Sequence, residues 1–70
     1  MITIKTNLGT RTLAVSLTNS VKALFDRNDV SLHSTDQGFE IHIATTESPE
    51  AILRELVPFN RYIRSIETMP

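Results

Sequence analysis

The chain has no cysteine, two glycines and three prolines among its 70 residues, and no uninterrupted apolar run longer than three. Each shortage excludes something. Without cysteine there is no disulfide and no thiolate zinc site. Small secreted domains usually lean on such staples, so a reducing, cytoplasmic setting is expected. The scarcity of glycine and proline argues against a linker or a disordered tail. Apolar runs this short exclude a hydrophobic membrane span. The opening MITIKTNLG lacks the charged start and apolar stretch of a signal peptide, so none is expected.

What remains is the composition of an ordinary globular domain, 40% hydrophobic and 21% charged. One domain over residues 1–70 is expected, near the lower size limit for folding unaided. The net charge is −1, without the basic footprint of a protein that neutralises phosphates. Charge is nevertheless uneven. Residues 1–25 hold Lys5, Arg11 and Lys22 and no acid, whereas residues 26–50 hold Asp26, Asp29, Asp36, Glu40, Glu47 and Glu50 against Arg27 alone. An acidic middle of this kind is either a solvated surface or a contact for a basic partner.

Ile2 and Ile4 alternate with polar neighbours, Asn7-Leu8-Gly9-Thr10 reads as a turn, and Leu13, Val15 and Leu17 alternate again. The pattern predicts a hairpin over residues 2–6 and 11–17. Thr18, Asn19 and Ser20 are capable N-caps, and Val21, Leu24 and Phe25 fall at helical spacing, which predicts a two-turn helix ending near Asn28. In VSLHSTDQGFEIHI, Val30 and Leu32, then Phe39, Ile41 and Ile43, alternate with polar residues about a Thr35–Gly38 turn. A second hairpin is predicted there, with Leu32 opposite Ile41, His33 opposite Glu40 and Ser31 opposite His42. Ser48, Pro49 and Glu50 then announce a helix start. The stripe Ile52, Leu56, Phe59, Ile63 and Ile66 favours continued helix through residues 59–67, although Pro58 interrupts it. A last strand in RYIRSIETM is the alternative.

A shift of 28 residues superimposes the two halves as ββα units, Ile2 and Ile4 on Val30 and Leu32, Leu13 and Val15 on Ile41 and Ile43. The expected fold is α+β: ββαββα, a four-stranded antiparallel sheet of order 1-2-4-3 with both helices on one face. This resembles a ferredoxin-like sandwich permuted so that its last strand lies at the N-terminus. The alternative is an unpermuted βαββαβ ferredoxin-like sandwich, with Leu13–Leu17 as its first strand and residues 62–68 as its last. In length and order that version resembles a small-molecule-sensing regulatory domain of the ACT type, although LTNSV stands where such domains carry a glycine-containing loop.

Candidate chemistry is sparse. His33, Glu40 and His42 share the sheet face away from the helices, with the histidines as diagonal neighbours. A zinc site would need a further ligand, so a histidine-based metal module is one reading and a solvated hairpin face another. No glycine frames a nucleophile, and neither glycine belongs to a phosphate loop. No enzymatic activity and no cofactor are expected. The open face, expected to present Thr3, Lys5, Thr12, Ala14, Ser16, Ser31, His33, Glu40, His42 and Ala44, has no aromatic for stacking bases, so nucleic acid is not the expected ligand. Small side chains there, and exposed strand edges, suit a protein contact or a homodimer. Arg61 and Arg64 beside Tyr62 supply residue types favoured at interfaces. The expectation is a small, non-enzymatic protein-binding domain with Asp29, Asp36, His33, Glu40, His42, Arg61, Tyr62 and Arg64 as candidate partner-binding residues. By size and type alone, phage or mobile-element inhibitors of host machinery, including anti-CRISPR proteins, are one such class.

Overall fold

The computed structural model describes residues 1–68. Strand β1 is Ile2–Thr6, helix α1 Arg11–Leu24, strand β2 Val30–Thr35, strand β3 Gly38–Ile43, helix α2 Pro49–Glu55 and strand β4 Ile63–Thr68. The four strands form one antiparallel sheet in the order β2-β3-β1-β4. Chain order is therefore βαββαβ, and each crossover skips one strand position so that the two βαβ units interlock. Among the described residues no helix is long and apolar enough to cross a membrane.

This corrects the expected first hairpin and the 1-2-4-3 order. Residues 11–17 are helix, and β1 pairs instead with β3 and β4 on its two sides, Ile4 lying opposite both Ile41 and Ile66. Leu13, Val15 and Leu17 alternate, but Ala14, Leu17, Thr18 and Val21 also recur at helical spacing, and these four are the buried ones. Helix burial wins because both edges of β1 are taken by partners that bring isoleucines to the same core. Gly9 lacks a positive φ, so no tight turn is made there, and Thr10 caps α1 by accepting from the Leu13 N–H at 3.4 Å. The candidate caps Thr18 and Ser20 lie inside the helix. Their hydroxyls donate back to the carbonyls of Ala14 (2.7 Å) and Ser16 (3.2 Å). The equivalence of residues 11–17 with the second hairpin, and hence the ββα repeat, does not hold. Nor is Leu13–Leu17 the first strand of the βαββαβ alternative.

The second hairpin has the expected register throughout: Leu32 opposite Ile41, His33 opposite Glu40, Ser31 opposite His42. Asp36 and Gln37 make its two-residue turn, closed by Gly38 at φ 126°. Ser48 caps α2 and Pro49 opens it, also as expected. The helix does not run on. It stops before Pro58, the chain tightens into a 3₁₀ stretch over Val57–Tyr62, and residues 63–68 form an edge strand. The spacing of Ile63 and Ile66 disguised this strand, because a two-residue alternation puts them on opposite faces. A register shift beside Thr6 solves the problem: Lys5 lies opposite Ser65 but Thr6 opposite Ile63, so Arg64 is the extra residue and both isoleucines pack on the core.

The core lies between the sheet and the helices, with Ile2, Ile4, Ile41, Ile43, Ile52 and Leu56 at its centre. Leu32 and Phe39, expected in the core, are partly buried against it. Central placement buries β1 on both faces, so two of its threonines are almost inaccessible. They differ in one respect. The Thr6 hydroxyl donates to the Phe39 carbonyl at 2.8 Å and accepts from the Leu8 N–H at 3.4 Å, whereas the Thr3 hydroxyl has no hydrogen-bond partner among the described residues. The same isosteric change should therefore act with opposite signs. Thr3→Val removes an unsatisfied buried group and should stabilise by about 1 kcal/mol, while Thr6→Val orphans its partners and should cost about 1–3 kcal/mol. Urea denaturation of both variants checks this, and destabilisation by Thr3→Val would refute it.

Candidate functional site

Alternation and register place two rows of side chains across the sheet face opposite the helices. One row reads Ser31, His42, Thr3, Glu67; the next reads His33, Glu40, Lys5, Ser65. Their contacts mostly ignore the rows. The His33 and His42 rings stack diagonally with centroids 4.0 Å apart and planes 25° apart. Within β2, Ser31 Oγ lies 2.9 Å from His33 Nε2. Within β3, His42 Nε2 lies 3.2 Å from Glu40 Oε1. Lys5 Nζ reaches diagonally to Glu67 at 3.4 Å. Glu40 thus engages the histidine of its own strand rather than His33 directly across from it. Three open-face residues expected on strands, Thr12, Ala14 and Ser16, belong to α1, and Ala14 is in the core.

On this face Ser31, His33, Glu40, His42, Lys5 and Glu67 engage one another, while the buried Thr3 hydroxyl between His42 and Glu67 has no partner among the described residues. The Ser31–His33 contact has the spacing of a nucleophile and its base, but the carboxylate that would orient such a base is engaged by His42. Among the described residues no group of three or more His, Asp and Glu side chains is placed to hold a metal ion. The two imidazoles face each other as stacked planes, with Nε2 of each engaged in its own strand.

The other candidate residues scatter. Asp36 and Glu40 line a shallow hollow with Lys5, Thr35 and Gln37 beside the hairpin turn, and Arg64 Nη2 contacts Gln37 Oε1 there at 3.4 Å. Asp29 precedes β2 at its far end, roughly 20 Å away by the length of the strand, where its carbonyl accepts from the Ala44 N–H. The acidic middle of the sequence is therefore not one patch. Arg61 and Tyr62 lie on the helix side, the guanidinium 5.9 Å from the ring centroid, in cation–π range.

That side holds a feature the sequence reading missed. Of the exposed residues of α1 only Arg11 is charged; the others are Thr12, Leu13, Val15, Ser16, Asn19, Ala23 and Leu24, with Lys22 half-buried. A solvated helix face normally carries charge. Leu13 and Leu24 are each about half exposed (51% and 49%). They belong to one stripe with Leu17 and Ser20, at spacings of four, three and four. Beside this stripe a groove of about 130 Å³ opens between α1 and the 3₁₀ stretch, lined by Leu8, Leu13, Ser16, Leu17, Ser20, Phe59 and Tyr62. Its far wall, Phe59 and Tyr62, comes from the 3₁₀ stretch that follows the 7-residue α2. The signal was available: residues 11–24 contain only two charges. It became legible only once those residues were known to be helix.

The polar layer should not respond to metal. Zinc in excess is expected to leave the melting temperature within about 1 °C of its value in chelator, since only a ligand that favours the folded state raises it. A rise of several degrees, abolished in His33→Ala/His42→Ala, would establish a site that this geometry does not predict. No family model matches the chain, and no curated protein or solved structure is detectably similar to it.

Proposed function

We propose that this chain is a non-enzymatic protein-binding domain that engages its partner through the outward face of α1 and the groove beside it. The observation that carries this reading is the near absence of charge from an exposed four-turn helix that displays Leu13 and Leu24 on its groove-side flank. Interface centres are depleted of charged residues, and their energy comes from a few well-enclosed apolar anchors. Covering the exposed part of these two side chains would contribute on the order of 2 kcal/mol. Tyr62, with Arg61 stacked on it, lies at the wall of the same groove, so two of the expected interface residues belong to this surface.

The sheet face, with His33, Glu40 and His42, supports the reading less well, because its polar groups are already engaged with one another. A metabolite-sensing role fares worse. The groove is smaller than the roughly 300–1,000 Å³ typical of small-molecule sites. An inhibitor of host machinery of the anti-CRISPR type is one narrower case of a protein-binding domain, and it rests on size alone.

A photo-cross-linking residue tests the choice of surface. Placed at Ser16 in cells that carry the chain natively, it is expected to give one discrete protein adduct, and placed at Ser31 on the sheet face it should give none. The reverse pattern would move the interface to the sheet; a diffuse ladder from both sites would overturn a defined partner.

A further inference from the structure

Taking the protein-binding reading as its basis, we infer that α1 receives an acidic, apolar-anchored segment of the partner protein. Two adjacent features of the helix side specify it. Towards the N-terminal half of α1 lies the apolar groove, lined by no charged side chain and of a volume suited to one large aliphatic or aromatic side chain. One to two turns further along, on the opposite flank of the exposed face, lies a shallow hollow lined by Asn19, Lys22, Ala23 and Arg27. It presents two cations and no carboxylate. Asp26 precedes Arg27, but it does not line the hollow, and its carboxylate accepts from the Asn28 N–H at 2.9 Å.

The helix contains no acid at all, and Arg61 adds a third cation, over the ring of Tyr62 at the groove wall. An occupant that fills the groove is thus flanked by positive charge. With a rise of 1.5 Å per residue and side chains about 5 Å from the helix axis, the groove and the hollow are roughly 10 Å apart. A segment crossing α1 obliquely meets both if it carries a Leu or Phe anchor and one or more carboxylates about a turn and a half away along a helix, or three residues away in an extended strand. A second copy of this chain fits poorly, because face-to-face pairing of α1 would present the basic flank of one copy to a helix that has no acid.

The probe is a randomised twelve-residue peptide library selected against the intact chain. The expected winners pair one Leu, Phe or Trp with Asp or Glu at a fixed spacing. Ser16→Glu, an exposed position that places a carboxylate at the groove, should weaken them by on the order of tenfold or more. Lys22→Glu/Arg27→Glu should weaken them less and remove most of their salt dependence. Circular dichroism establishes that each variant is folded; if Ser16→Glu is not, Ser16→Asp takes its place. Basic or uncharged winners, winners indifferent to both variants, or no enrichment would each overturn this inference. A dimer in sedimentation that Ser16→Glu abolishes would overturn it in favour of a second copy. An adduct at Ser16 in the cross-linking experiment, together with non-acidic winners here, would leave the protein-binding reading standing and remove the acidic segment alone.

Discussion

Everything in this small domain depends on the pairing of β1 with β3, the match of residues 2–5 with residues 40–43. It places the first strand of the chain in the middle of the sheet. Once Ile2 and Ile4 lie beside Ile43 and Ile41, β1 has only its other edge free, and β4 occupies it with Ile66 opposite Ile4. Neither edge of β1 remains for residues 11–17. They must cross over the sheet, and a helix satisfies their backbone groups while burying Ala14, Leu17 and Val21 against it. On the open side Thr3 lies between His42 and Glu67 of the two flanking strands and is as inaccessible as the isoleucines.

That dependence also explains which parts of the fold could be read from the sequence. The second hairpin was legible down to the pairing of individual residues, because its alternation and its turn lie within 14 contiguous positions and each confirms the other. The start of α2 was legible for the same reason, since Ser48 and Pro49 act locally. The segment 11–17 was not. Leu13 and Leu17 fit both a period of two and a spacing of four, and the choice was made by strands some 30 to 50 residues away. For residues 63–68 the favoured helix gives way to the alternative strand, which was obscured by a one-residue bulge that keeps Ile63 and Ile66 on one face although their spacing forbids it in a regular strand. The candidate site followed the fold. His33, Glu40 and His42 were placed correctly on one face, while Ala14 and Ser16 were assigned to a strand that does not exist.

The two faces of the molecule handle water differently. On the sheet side, stacking, in-strand hydrogen bonds and the Lys5–Glu67 pair join polar groups to one another. Each such contact is weak where it is exposed, and among them the Thr3 hydroxyl stays buried without a partner among the described residues. The helix side is the converse. Its core is well covered by α1, yet the outward surface of that helix carries little charge, Arg11 being its one fully exposed ion, and leaves Leu13 and Leu24 half exposed.

A chain of this size buries a smaller share of its surface than a large domain, and every apolar side chain left outside the core is stabilisation forgone. The helical stripe of Ile52 and Leu56 continues at Phe59, but the Val57–Tyr62 stretch must deliver β4 to the free edge of β1. The bulge at Arg64 shows how tightly that delivery is constrained. The 3₁₀ stretch resolves the conflict in favour of the sheet. Phe59 and Tyr62 then remain as the far wall of an apolar gap and only partly bury themselves against the core. The groove is therefore a by-product of the path the chain takes from α2 to β4. The missing charge on α1 is not such a consequence, because Thr12, Ser16, Asn19 and Ala23 could each be Glu or Lys without disturbing a buried contact. Topology produces the gap, and the uncharged helix face around it is an independent property of the sequence. Two features with separate origins thus meet on the same surface, which is what distinguishes it from the polar sheet face as a place for a partner.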